Sequence, residues 1–411
     1  MKTRIALIGH IGRKFTCSTT WALSITLAVI SLARAEVNEE NSVSCLTRAA
    51  SNNSTNIGNL KSKLRNTVVT DIVNPYDDVR GSATWTTKDI SNADLSKKAA
   101  LLTTLTFNEK TMWPDKSKMP PGPTPAEILQ NAKNPGLSIK DLHRKGIFGK
   151  GVNVAIIDQP LYQDHPEFTG KIVEYKDFGT KAESSMHGPA VASLLVGNNI
   201  GTAPGAKLYY AAVPSWLADA EYYAKALDWI IEVNSTLSAK DKIRVVSVSA
   251  APSGKGSPFK SNNDKWTSRM EKAMAEGILV LDCSSNYGFI APGYYDTNDV
   301  DNVSKCVSGF PQKTGRGSIP DRIVVPCSFR TVAEEYEKGD FAYQYTGQGG
   351  LSWSIPYCAG VMAMGWQERP ELTADEMKRL LFDSAYKSAC GSLIVNPPEF
   401  IKAVIAHKKA R

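Results

Sequence analysis

Residues 151–158 read Gly-Val-Asn-Val-Ala-Ile-Ile-Asp. The run from Val152 to Ile157 is apolar and short, as a strand buried inside a sheet requires. It ends on an acid, Asp158. Comparable runs follow at Lys207–Val213, Val245–Ser249, Ile278–Cys283 and Arg322–Pro326. Helical periodicity lies between them. Residues 137–146 form a short amphipathic helix ending at Gly146. Residues 218–233 place Tyr223, Ala226, Leu227, Ile230 and Ile231 on one face. A third helix, at 265–276, closes at Gly277. Strands alternating with helices predict an α/β fold, a mostly parallel sheet with helices on both faces. Such sheets bind ligands beyond the carboxyl ends of their strands. Asp158 ends the first strand, Ser249 ends the third, and Asn286 follows the fourth. These three residues therefore converge on one sheet edge.

A second stretch completes that edge. Residues 346–367 carry Gly347, Gly349 and Gly350, then Ser352, then Pro356 and a long apolar run. The glycines permit tight turns, and the spacing predicts a helix start with Pro356 in its first turn. A serine there is either an N-cap or a nucleophile favoured by free amides and the helix dipole. The sequence holds five histidines. His10 lies in the basic N-terminus, His407 in a basic tail, His143 among charges and His165 in a loop. His187 opens the apolar, small-residue run His-Gly-Pro-Ala-Val-Ala-Ser, where close packing would fix an imidazole. It is either a structural histidine or the general base that a serine nucleophile needs. Asp158 could orient that base. Asn286, in Ser-Ser-Asn-Tyr-Gly288, is either a turn residue or an amide donor to an oxyanion, with the Ser352 N–H as second donor.

Taken together these segments resemble the subtilisin-like serine proteases. Gly151–Asp158 resembles the family's aspartate motif, and His187–Ser193 its histidine motif. Thr202–Tyr209 is similar to the strand lead-in, Val246–Ser249 to the substrate-binding strand, and Ser352 with Pro356 to the serine motif. The order Asp, His, Asn, Ser is also the family's. The resemblance covers residues 136–385. It implies a secreted serine endopeptidase with Asp158, His187 and Ser352 as catalytic triad, Asn286 at the oxyanion, and Ser249, Ala250 and Ala251 along the substrate. The flanks depart from the pattern at Leu351, Tyr357, Pro189, Ala190, Ser285, Ala250 and Ala251. Those departures keep a second reading open, a catalytically inactive protease-like binding protein. A third, acid-active variety with a carboxylate base is disfavoured by His187. Family members often bind structural calcium. No ligand set maps here, and the acidic stretch Asp296–Asp301 reads as a solvated loop.

The remaining chain bears on processing and compartment. Of the formal charge of +7 over 411 residues, five positive charges (Lys2, Arg4, Arg13, Lys14, Arg34) lie in residues 1–35, leaving +2 for the rest. That balance gives no reason to expect a nucleic-acid partner; the resemblance implies a protein or peptide substrate. A basic stretch, an apolar stretch from Trp21 to Leu32 and Ala33-Arg34-Ala35 fit an export signal over residues 1–35, with a secreted or cell-surface product and no membrane span after cleavage. Loss of Cys17 with that leader leaves Cys45, Cys283, Cys306, Cys327, Cys358 and Cys390, enough for up to three disulfides of undefined pairing. Sequons occur at Asn52, Asn53, Asn234 and Asn302. Residues 36–135 form an N-terminal region readable as a propeptide, an extension packed on the enzyme or a separate module. The Pro/Gly-rich stretch 119–125 is its best boundary with a protease domain at 136–411.

Overall fold

Both faces of the strand Asn153–Asp158 are buried, which is why its sequence is apolar without alternation. Val154 and Ile156 point into one hydrophobic core, Ala155 and Ile157 into another. These observations come from a computed structural model that describes residues 68–81, 88–313 and 321–408. The proposed leader, Cys45 and the sequons at Asn52 and Asn53 lie outside them.

In chain order the principal strands are β1 (Thr106–Asn108), β2 (Asn153–Asp158), β3 (Ile172–Asp177), β4 (Lys207–Ala212), β5 (Ile243–Ser247), β6 (Leu279–Leu281), β7 (Ile290–Tyr294), β8 (Ile323–Pro326), β9 (Arg330–Glu334) and β10 (Ala342–Thr346). The helices used below are α1 (Pro125–Asn131), α2 (Ile139–Arg144), α3 (His187–Val196), α4 (Ala220–Thr236), α5 (Asn263–Ala275) and α6 (Leu351–Glu368). The central sheet has the order β3-β4-β2-β5-β6 and is parallel throughout. Helices α3 and α6 cover one face, where Val191, Leu195, Ile355 and Met362 pack on Val154, Leu208 and Val245. Helices α4 and α5 cover the other through Tyr223, Trp229, Trp266 and Met270. The α/β architecture expected from the sequence is the one observed.

Three features differ from the sequence reading. Strand β3 was not expected; it is an edge strand whose Val173, Glu174, Lys176 and Asp177 face solvent, so it lacks an apolar run. The fifth expected strand, β8, belongs to a second sheet, where it pairs in parallel with β7. Pro356 lies inside α6 rather than in its first turn, because the helix already begins at Leu351.

The Pro/Gly-rich stretch is not a gap between separately packed bodies. Residues before it (Val79, Ile90, Leu102, Phe107) and after it (Ile128, Leu129, Tyr345) share one hydrophobic core. Thr124 closes the stretch with a capping box to Glu127 at the start of α1. Strand β1 adds to the β9–β10 hairpin as a third, antiparallel strand.

Candidate active site

Strand β2 carries Asp158 to the carboxyl edge of the sheet, where its carboxylate is 2% exposed. Oδ1 accepts from the N–H of Gln159 at 2.8 Å and from His187 Nδ1 at 2.6 Å. A carboxylate has only acceptors, so Nδ1 carries the proton and Nε2 keeps its lone pair. Helix α3 holds the imidazole in place. Gly188 lets the helix start approach the loop after Asp158, since a Cβ there would come within 2.2 Å of Gln159 O. Ser185 Oγ ties the two segments, accepting from Gly188 N–H at 3.0 Å and donating to Pro160 O at 3.0 Å. On its other side the imidazole meets the Trp353 ring at 5.4 Å and 68°.

Ser352 is the second residue of α6 and is 5% exposed. The first-turn N–H groups of a helix lack internal partners, so the backbone here offers donors to an anion. The Ser352 hydroxyl donates to Ser249 O at 3.2 Å, and the Ser249 hydroxyl donates to Ser352 O at 2.8 Å. Pro356 explains the second bond. In an unbroken helix the N–H four residues on would bond Ser352 O, and proline has none. Ser249 lies two residues beyond the end of β5, so the expected strand is shorter than drawn. Beyond it Ala250 and Ala251 are buried, and Ala250 O accepts from Cys283 N–H at 2.9 Å.

The structure thus joins Asp158 to His187 and Ser249 to Ser352, with Trp353 bridging the two pairs. No hydrogen bond joins His187 to Ser352. Asn286 occupies an exposed turn beyond β6. Its Oδ1 lies against Gly254, where a Cβ would stand 2.6 Å away, so the turn flanks the loop that leaves Ala250–Ala251. Trp353 was not singled out from the sequence, although a bulky aromatic next to the serine was its visible signal.

Other expected features settle as structural. His165 is fully buried, accepts from Glu167 N–H at Nδ1 and meets Ala342 O at 3.3 Å. The sequon residue Asn234 is buried, its side chain accepting from Ile243 N–H at 2.7 Å, and cannot carry a glycan in the folded chain. Cys306, Cys358 and Cys390 are free thiols. In the loop 296–301, Asp299 pairs with Lys305 at 2.9 Å, Asp296 accepts from Asn298 N–H and Asp301 from Ser138 N–H. Those oxygens are engaged by backbone N–H groups and a lysine. Among the described residues no three acidic, histidine or cysteine side chains gather as a metal site would require.

Comparison with known proteins agrees with this architecture. Residues 149–314 match the Subtilase family model, Peptidase_S8. The chain is 27% identical over 289 residues to the serine protease AprX of Bacillus subtilis, covering 59% of this chain and 63% of that one. It is 23% identical over 277 residues to the subtilisin-like protease PopC of Myxococcus xanthus, covering 60% and 58%. It therefore spans less than two thirds of the length of these relatives. Among solved structures, the subtilase cytotoxin SubAB assembly superposes with a TM-score of 0.52 at 16% identity, over 66% of this chain and 95% of that one. That likeness speaks for the fold alone. By motif order and these matches, residues 149–314 form a divergent subtilase-family domain, similar at low identity to the subtilisin-like serine proteases.

Proposed function

We propose that the chain is an exported serine endopeptidase acting through Asp158, His187 and Ser352. The observation that carries this is the buried 2.6 Å bond between Asp158 and His187 at the sheet edge, beside a serine in the first turn of α6. In this reading Ser352 Oγ turns from Ser249 O toward His187 Nε2 when a peptide enters. His187 takes its proton as Oγ attacks the scissile carbonyl, then returns it to the leaving amine. Asp158 holds the imidazole tautomer and stabilises the imidazolium. The Ser352 N–H and the Asn286 side chain donate to the oxyanion. The Ser249–Ala251 segment lies along the substrate backbone. Export follows from the leader-like residues 1–35, and no described helix is long and apolar enough to cross a membrane.

The test is labelling with a fluorophosphonate probe. The reading expects labelling that Ser352→Ala abolishes; equal labelling of that variant overturns it. A second reading, a protease-shaped binding protein, draws on one observation: the Ser352 hydroxyl bonds Ser249 O rather than His187. Absence of both labelling and peptide cleavage in folded protein selects it.

A further inference from the structure

We propose that residues 68–135 are a permanent part of the catalytic unit, a brace for the hairpin that delivers Ser352, and not a removable prosegment. A segment built to leave covers a surface that is already solvated and satisfied. This one fills a core and neutralises buried charge. Glu334 on β9 is 2% exposed and Gln344 on β10 is 4% exposed. Arg80 donates to Gln344 Oε1 at 2.6 Å and stands 3.6 Å from Glu334 Oε1. Asn108 donates to Glu334 Oε2 at 2.8 Å. Departure of the segment would strip Glu334 of Arg80 and Asn108 and leave it only the Tyr336 hydroxyl, at 2.7 Å from Oε1; a buried carboxylate that loses its charge partner is strongly destabilising. Backbone groups are shared as well. Thr331 Oγ1 donates to Leu129 O at 2.6 Å, Tyr345 OH to Thr103 O at 2.7 Å, and Thr331 N–H to Ala132 O at 3.1 Å.

The brace reaches the nucleophile through one turn. Strand β1 pairs with β10 up to Thr106–Thr346. The contact then continues as Gly347 N–H donates to Leu105 O at 3.0 Å. A Cβ at Gly347 would come within 2.2 Å of Thr104 O. On the far side of the same turn, a Cβ at Gly349 would meet Cys327 O at 1.8 Å. The backbone leading into α6 is therefore gripped between the N-terminal segment and the β8–β9 connection. Gly347 is a positioning residue; it touches no reacting atom. A shift of about 1 Å at a nucleophile can cost about 10²-fold in rate.

The retention half stands without the proposed activity, whereas the positioning half rests on it. A site-specific protease sequence is inserted between Gly122 and Pro123, in the exposed stretch, and the chain is nicked. In the Ser352→Ala background both fragments should elute as one native species and separate only in denaturant. Release of the N-terminal fragment from the native protein overturns the proposal. With Ser352 present, nicking should leave the labelling rate unchanged; a rise on loss of the fragment likewise overturns it. Gly347→Ala should lower kcat about 10²-fold with KM little changed, and an unchanged kcat sinks the positioning role. If even the intact chain is never labelled, the protease reading fails while the elution result still decides retention.

Discussion

Ser249 and Ser352 hydrogen-bond to each other twice, hydroxyl to carbonyl in both directions, at 2.8 and 3.2 Å. The first of these bonds exists because Pro356 cannot supply the helical N–H that would otherwise bond Ser352 O. The proline thus converts an ordinary helix carbonyl into an anchor for the segment that follows β5. Ser249→Ala should leave that carbonyl buried and unsatisfied, lowering stability by about 1–3 kcal/mol. Pro356→Ala restores an N–H at the right position. The double variant should therefore lose less stability than the sum of the single changes, by about 1 kcal/mol in a double-mutant cycle. Urea unfolding of the four proteins measures it, and strict additivity would remove the account of Pro356.

Asp158→Asn keeps the shape of the pair but offers His187 an amide that can donate. The imidazole then turns its proton outward, and turnover should fall by about 10⁴-fold. If Asn286 donates to the oxyanion as proposed, Asn286→Ala should cost about 10²–10³ in kcat with KM little changed. Steady-state cleavage of one peptide substrate by both variants tests the pair. A normal rate for Asp158→Asn would rule out the histidine base.

Legibility from sequence followed locality. Strand β2 was readable because burial on both faces forces an apolar run, and Asp158 stood out as the acid at its end. The edge strand β3 was not, because half its side chains face water. The β9–β10 hairpin was hidden for a different reason. Arg330, Thr331, Glu334 and Gln344 are polar yet nearly fully buried. For Thr331, Glu334 and Gln344 the partners come from residues 80–129, more than 200 positions away. Periodicity does not register such pairings. The same distance concealed the packing of the N-terminal segment, whose Pro/Gly-rich stretch reads as a boundary although the core continues across it. At the site, the residue types and their strand-end or helix-start positions were legible, whereas the reciprocal Ser249–Ser352 bonds and the Trp353 contact required the fold.

The thiols should differ sharply in reactivity. Burial pushes Cys306 and Cys358 up to about 12, so neither forms a thiolate near neutrality. Cys390 is exposed, and hydrogen bonds from Ser388 and Ser392 lower it to about 7. Brief alkylation of native protein at pH 7.5 (a value near ~7, where that thiol is largely ionised) followed by peptide mapping should mark Cys390 well before Cys306 or Cys358. Equal labelling of the three in the folded state would contradict these environments.

Glu335 should make stability fall as pH rises toward neutrality. It follows β9 and is almost fully buried, with Oε1 accepting from Gly339 N–H at 2.8 Å. Burial, then the nearby Asp164 and Asp340 carboxylates, outweigh that bond and push its pKa up to about 7. An unfolded glutamate titrates near about 4.3. Between about pH 4.5 and 7 the native state therefore holds a proton that the unfolded state has released. The unfolded state binds fewer protons, so stability declines through this window, and the full penalty is reached above about pH 7. Glu335→Gln is neutral throughout and keeps an acceptor for Gly339. Its melting temperature should match that of the parent near the acid end of the window and exceed it above the neutral end. Both proteins are compared in the Ser352→Ala background, which prevents self-digestion during heating. Parallel melting curves across the window would show that Glu335 ionises as freely in the fold as out of it, and would remove it as the source of the slope.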